Sequence, residues 1–279
     1  MRAGGEVPVN ERAAGLASGL AERSPSALPI NELFHSIQGE GNLAGVPSTF
    51  VRTAGCNLRC WFCDSYHTSW EPTGAWLGVE EVLSRVESLP GEHVVLTGGE
   101  PLIHDSCTTL LDSLSERGYH TTVETNGTRF LETGIDLASV SPKLASSTPH
   151  GENAPANLSG WDERHEENAP ANLSGWDERH EERRIDLDAL CSLIESYPFQ
   201  LKFVVTGRED VPEITALVER LREASSARIR DSDVLLMAEG VTREQLDESR
   251  ELVAEVARET GYRYTPRLHV DLWDDAAGK

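Results

Sequence analysis

Apolar residues fall into two kinds of run that alternate along the chain. Short stretches rich in β-branched residues, at 48–52, 93–96, 120–124, 137–141, 200–205 and 234–237, read as strands. Between and beyond them, apolar positions recur every three or four residues over 79–88, 107–117, 187–196, 211–224 and 243–260. That spacing predicts amphipathic helices. Strands that alternate with helices build a mainly parallel sheet, because parallel neighbours need a long return connection. The fold class expected is α/β, a partial open β/α barrel in one domain, with ligands at the carboxyl ends of its strands.

Two segments stand outside this rhythm. Residues 1–28 are rich in Ala, Gly, Glu, Arg and Ser, with weak helical periodicity at 13–20, so a mobile tail is expected before a single domain at 29–279. A surface-loop insert is expected at 145–184, where residues 152–166 recur identically as 167–181. Two polar copies are too few for a solenoid, and Asn, Pro, Gly and acidic residues favour loops. A duplication in a tolerant loop is the simplest account. Trp161 and Trp176 leave open a lid over the site or a partner contact.

Charge narrows the setting. The formal net charge is −22, and among 25 basic residues only Lys143, Lys202 and Lys279 are lysines. Such a surface suits concentrated salt, where the Debye length falls to about 3 Å at 1 M; in dilute salt it repels itself. A halophilic cytoplasmic protein is expected, without a nucleic-acid partner, since that needs a basic patch. There is no secretory signal pattern and no run of about 18 apolar residues, so no membrane span is expected.

The chemistry is concentrated in Cys56, Cys60 and Cys63, spaced C-x3-C-x2-C. Three thiolates on one loop can hold three corners of a [4Fe–4S] cube and leave the fourth iron open. With His67 added, the same residues could instead form a Cys3His zinc site. Thr97-Gly98-Gly99-Glu100-Pro101 follows the strand at 93–96, where glycines let backbone approach a ligand closely. Cys107 and Cys191 fall within helical patterns and are expected as small buried residues.

The order of these motifs resembles the 7-carboxy-7-deazaguanine synthase family of radical S-adenosylmethionine (SAM) enzymes. The resemblance runs over about 30–273 outside the insert, and rests on Gln38-Gly39-Glu40-Gly41, the cysteine loop with Asp64, Gly99-Glu100, residues 124–128, Ser141-Pro142-Lys143, residues 202–205 and Arg267-Leu268-His269. It implies a carbon–nitrogen lyase of the radical SAM fold type that converts 6-carboxy-5,6,7,8-tetrahydropterin to 7-carboxy-7-deazaguanine and ammonia. A SAM-derived 5′-deoxyadenosyl radical would take hydrogen at C6 before ring contraction. By the same resemblance Cys56, Cys60 and Cys63 would hold the [4Fe–4S] cluster. Phe62, Cys63, Asp64, Gly99, Glu100, Ser141, Pro142 and Lys143 would bind SAM. Ile37, Gln38, Gly39, Arg52, Thr97 and His269 would bind the pterin, with Glu100 and Glu124 as catalytic carboxylates. Ser65, where a threonine is usual, would ligate Mg²⁺. A homodimer and an electron donor such as flavodoxin or ferredoxin are the implied partners. Two rivals stand beside this reading: an activase that installs a glycyl radical on a partner enzyme, and a non-catalytic zinc or electron-transfer module.

Overall fold

The computed structural model describes residues 26–149 and 175–274. Its strands are β1 (Ala27–Ile37), β2 (Pro47–Thr53), β3 (Ala75–Gly78), β4 (His93–Gly98), β5 (His120–Thr125), β6 (Leu137–Val140), β7 (Phe199–Val205), β8 (Val234–Ala238) and β9 (Arg263–Tyr264). They form a nine-stranded open sheet in the order β3-β1-β2-β4-β5-β6-β7-β8-β9. β1 is antiparallel to β2 and β3, and every pairing from β2 to β9 is parallel. The helices are α1 (Tyr66–Ser69), α2 (Val79–Glu87), α3 (Ser106–Glu116), α4 (Trp176–Arg183), α5 (Leu187–Ser196), α6 (Val211–Ala224), α7 (Arg243–Thr260) and α8 (Leu268–Trp273).

Strict alternation along the strands sorts the two faces of the sheet. Val51, Leu96, Val123, Ala138, Leu201, Phe203 and Leu236 point to the main core, among the buried residues of α2, α3, α5, α6 and α7. Their neighbours Phe50, Arg52, Thr97, Glu124, Ser139, Lys202, Val204 and Met237 point to the opposite face and line a cavity. Helix ends are set by local chemistry. Thr242 and Gln245 form a capping box at the start of α7, and Gly261, at φ 79°, ends it. Asp186 caps α5 by accepting from the Ala189 N–H at 2.9 Å.

The structure corrects the tail boundary and the insert. Ala27 and Leu28 already belong to β1, and Leu28 is fully buried. β1 escapes a period-two reading because it is paired on both edges and its register slips between Ile30 and Glu32. The rest of the expected tail and the first repeat copy, with Trp161, lie outside the described residues. The end of the second copy is the helix α4, against the expectation of a loop throughout. Cys107 is buried in α3 as expected, whereas Cys191 in α5 is only partly buried.

The open sheet is bridged on its cavity side. Gly39 O accepts from the Leu268 N–H at 2.9 Å, and the Gly41 N–H donates to Thr265 Oγ1 at 2.7 Å. The Asn42 N–H donates to Gln200 Oε1 at 2.7 Å. The loop after β1 is thereby tied to β7 and to the segment that leads into α8.

Candidate active site

The cavity opens at the carboxyl ends of the parallel strands and measures about 350 Å³. Register explains why its polar residues meet: Arg52 pairs with Thr97 across β2 and β4, and Glu124 with Ser139 across β5 and β6. Of the residues expected at the site, Ile37, Gln38, Gly39, Arg52, Cys56, Cys60, Phe62, Cys63, Asp64, Ser65, Thr97, Gly99, Glu124, Ser141, Lys143 and His269 all line this one space.

Glu100 and Pro142 do not. The Glu100 carboxylate is buried and turned into the protein. It accepts from the Leu102 N–H at 3.0 Å, the Thr125 hydroxyl at 2.8 Å and the Asn126 N–H at 2.6 Å. Burial raises its pKa despite these donors. It ties the end of β4 to the end of β5, which is a positioning role. Pro142 is buried between the lining residues Ser141 and Lys143.

Two of the three cysteines have a hydrogen-bonding group close to sulfur: the Leu58 N–H lies 3.4 Å from Cys56 Sγ and the Ser69 hydroxyl 3.2 Å from Cys63 Sγ. Burial pushes the Cys56 thiol up to about 12 and raises Cys60 and Cys63 as well. Such thiols ionise only beside a strong positive charge, which a metal centre supplies. Three convergent thiols with Cys107 and Cys191 elsewhere match the donor set of a cubane with one open iron. The backbone of the Gly-Gly pair packs directly on this loop. Gly98 sits at φ 138°, and a Cβ on Gly99 would run into the Gly55 carbonyl oxygen.

Across the cavity lies a buried ionic network. Lys202 Nζ contacts a Glu40 carboxylate oxygen and lies 3.8 Å from Glu124 Oε1. Arg267 bonds Glu40 Oε1 through Nε at 3.1 Å and grips Asp64 through Nη2. Burial alone would raise Glu40, but the Lys202 ammonium and Arg267 guanidinium hold it well below the usual carboxylate range. Glu124 also accepts from Gln38 Nε2 at 3.2 Å and from the Thr97 hydroxyl at 3.1 Å. Arg52 is preset by Glu32 at 2.5 Å, by Ser65 Oγ at 2.9 Å and by the Phe34 ring, whose centroid is 5.8 Å away. Burial lowers His269, so its ring is neutral near pH 7. Glu40, Lys202, Arg267, Glu32 and Glu239 also line the cavity, and the last four were not among the expected site residues. For Lys202 the signal was present: a lysine inside the apolar run 201–205.

Known proteins fit this geometry. Residues 50–144 match the model of the radical SAM superfamily. The chain is 57% identical over 251 residues to 7-carboxy-7-deazaguanine synthase of Halobacterium salinarum, covering 90% of this chain and 92% of that protein. It is 39% identical over 261 residues to the enzyme of that name in Rhodopirellula baltica, covering 93% and 92%. The crystal structure of QueE from Escherichia coli superposes with a TM-score of 0.57 at 26% identity, over 86% of this chain and 93% of that one. The salt-adapted composition agrees with the first of these sources.

Proposed function

Because the chain belongs to the 7-carboxy-7-deazaguanine synthase family of radical SAM enzymes, we propose that its strand-end cavity binds 6-carboxytetrahydropterin against SAM and turns it into 7-carboxy-7-deazaguanine. The glycyl-radical activase and the zinc module are set aside by that membership. The observation that carries the reading is the convergence on one cavity of the three cysteines with Gln38, Arg52, Thr97, Glu124 and His269.

When bound, the cluster supplies the electron that cleaves the SAM sulfonium to the 5′-deoxyadenosyl radical, and Cys56, Cys60 and Cys63 would hold it. The chain's own groups bind and orient. Gly99 offers backbone to the SAM ammonium, and Ser141 and Lys143 approach from the end of β6. Arg52 spends one N–H on Glu32 and one on Ser65, which leaves three of its five for the substrate carboxylate. Glu124, steadied by Gln38, Thr97 and Lys202, can accept from the N–H edge of the pterin ring. Neutral His269 can give or take one hydrogen bond from the opposite wall.

Ser65 is the candidate Mg²⁺ ligand. Its oxygen accepts from Arg52 and gives its hydrogen to Asp64 Oδ1 at 3.1 Å, so one lone pair stays open for a hard cation, with a carboxylate beside it. A flavodoxin or ferredoxin as reductant and a homodimeric assembly complete the proposal. No helix among the described residues is long and apolar enough to cross a membrane.

The test is anaerobic turnover of the reduced, cluster-loaded enzyme with SAM and carboxytetrahydropterin, with and without Mg²⁺. The expected result is one ammonia per product, recovery of SAM, and a Mg²⁺ stimulation that Ser65→Ala diminishes. Reductive SAM cleavage without consumption of the pterin would overturn the substrate; equal rates with and without Mg²⁺ would overturn the Ser65 site.

A further inference from the structure

Arg59 stands between the first two cysteines, and much of what holds their loop passes through it. Its Nη1 donates to the Cys56 and Leu58 carbonyls, both at 2.8 Å. Its backbone N–H donates to His180 Nδ1 at 3.2 Å. Its guanidinium faces two indoles, 4.4 Å from the Trp176 ring centroid and 5.9 Å from that of Trp70. Trp70 in turn donates from Nε1 to the Cys60 carbonyl at 3.0 Å. A loop outside helix and sheet must satisfy its backbone groups in some such way. Among the described residues no carboxylate bonds Arg59, although the chain carries 47 acidic residues. Loop carbonyls and aromatic faces hold this cation instead.

Trp176 comes from the duplicated segment. It opens α4, and His180 stands one turn later on the same face, so one helix meets both the side chain and the backbone of Arg59. The far end of α4 is fixed to the fold. Arg184 joins Glu213 at 2.5 Å and donates to the Lys143 carbonyl at 3.1 Å, and His180 Nε2 lies 2.8 Å from Ser147 Oγ. The first copy has the same Trp-x3-His spacing in Trp161 and His165, which lie outside the described residues. It runs on into Asn168 and Ala169, where the second copy runs on into Arg183 and Arg184. The arginine anchor follows the second copy alone.

We propose that Trp176 is a positioning residue for the iron–sulfur cluster and acts through Arg59: the indole holds the guanidinium against the Cys56 and Leu58 carbonyls and so keeps the cysteine loop in the shape that retains iron. A cation partly withdrawn from water is drawn to an indole face more strongly than one in the open. Groups that orient metal ligands from behind are worth about ten- to a hundredfold in metal affinity. The role rests on the cluster assignment of the three cysteines, and it needs one copy of the duplicated segment.

The experiment is anaerobic release of iron from the reconstituted holoenzyme to a coloured chelator, with iron content and the EPR signal of the reduced cubane recorded for each variant. Trp176→Leu keeps apolar bulk and removes the π face, Trp176→Phe keeps a face, and Arg59→Met keeps the stem and removes the cation. Trp176→Leu and Arg59→Met should each release iron about tenfold faster than wild type. Trp176→Phe should stay close to wild type, since a phenyl face still attracts a cation. The Arg59→Met, Trp176→Leu double variant should be no faster than Arg59→Met, because the ring then has no cation to hold. A wild-type rate in Trp176→Leu overturns the role. So does Trp176→Phe releasing iron as fast as Trp176→Leu, or a double variant in which the two accelerations multiply. If Arg59→Met takes up no iron, the contrast between Trp176→Leu and Trp176→Phe decides alone. Absence of any cubane signal in the wild-type protein would instead overturn the cluster assignment, and this role with it.

Discussion

Lys202→Met keeps an aliphatic stem and removes an ammonium from a side chain only 6% exposed. Two carboxylates then lose a partner, Glu40 in direct contact and Glu124 at 3.8 Å. At an effective dielectric of about 20, a pair at 3.8 Å attracts by roughly 4 kcal/mol before desolvation is counted. Glu40 keeps Arg267 at 3.1 Å, and Glu124 keeps Gln38 at 3.2 Å and Thr97 at 3.1 Å. Neither is stripped bare, so the expected loss is about 3 kcal/mol, the low end for breaking one side of a buried pair. The pH dependence follows from the directions of the shifts. Glu40 is depressed in the folded state, so its contribution is present above its ordinary value of 4.5 and disappears as pH falls toward the folded value. Lys202 is raised, because Glu124 and Glu40 outweigh its burial, so its contribution is present below 10.5 and is lost only as pH rises beyond that. The stability gap between wild type and Lys202→Met should therefore be widest between about pH 6 and pH 9 and narrow below about pH 4.5. Urea unfolding of the holoenzyme at about 3 M and about 1 M KCl measures it, and a buried pair should show nearly the same gap at both. Adding Glu40→Gln should recover part of the loss. A gap under about 1 kcal/mol at neutral pH, or one that stays constant down to pH 4, refutes a buried charge network at this place.

Other perturbations probe separate parts of the molecule. The His93 ring lies between the Ser48 and Thr122 hydroxyls, at 2.5 and 2.9 Å, and burial with help from His120 lowers it to about 4. The unfolded chain takes up that proton first, so stability present above pH 6.5 should decline by up to about 3 kcal/mol as pH falls to 4; His93→Gln should flatten the Tm–pH curve in that window. A Cβ at Gly39 would strike His269 Nδ1, so Gly39→Ala should lower kcat/KM about tenfold while the cost vanishes in a His269→Ala background. Deleting residues 152–166 leaves one whole copy joined to Arg183 and Arg184, and should leave iron content and turnover unchanged; a loss of either would restore the lid or partner account of the duplication. Dilution from concentrated KCl should lower Tm steeply, since the net charge is −22, and a Tm indifferent to salt would contradict the halophilic reading.

What could be read from sequence is what local periodicity encodes. The six expected strands and five expected helices match observed elements to within two residues at each end. β1 was missed because a bulge between Ile30 and Glu32 breaks its alternation. α4 was missed because it presents no apolar face, and its buried residue is a histidine. The cysteines were legible from their C-x3-C-x2-C spacing, and Arg52 and Thr97 from the family resemblance; in the structure, alternation places Arg52, Thr97 and Glu124 on the face opposite the core. Orientation beyond a strand's end was not legible. Glu100 could face the cavity or the protein, and only the donors at Leu102, Thr125 and Asn126 decide it. Nor does a chain announce that Glu40 will meet Lys202, 162 residues away, or Arg267, 227 away.

The distribution of lysine ties the solvent problem to the chemical one. A surface adapted to salt has little use for lysine here, yet two of the three lysines, Lys143 and Lys202, line the cavity, and the third is Lys279 at the end of the chain. Both inner positions use what a compact ammonium offers and a planar guanidinium does not, three donors around a single point of charge. Lys143 donates to the Ser141 carbonyl at 2.9 Å and to its hydroxyl at 2.8 Å, which leaves one N–H and the positive charge for the space in front of the thiols. Its field favours the thiolate at Cys60 and at Cys63 against the burial that opposes it. Lys202 performs the matching task on the other wall, where it helps hold Glu40 below the usual carboxylate range and lies 3.8 Å from Glu124 Oε1. The two ammonium groups therefore both line the cavity, Lys202 beside Glu40 and Lys143 with its field on Cys60 and Cys63, groups whose charge burial opposes.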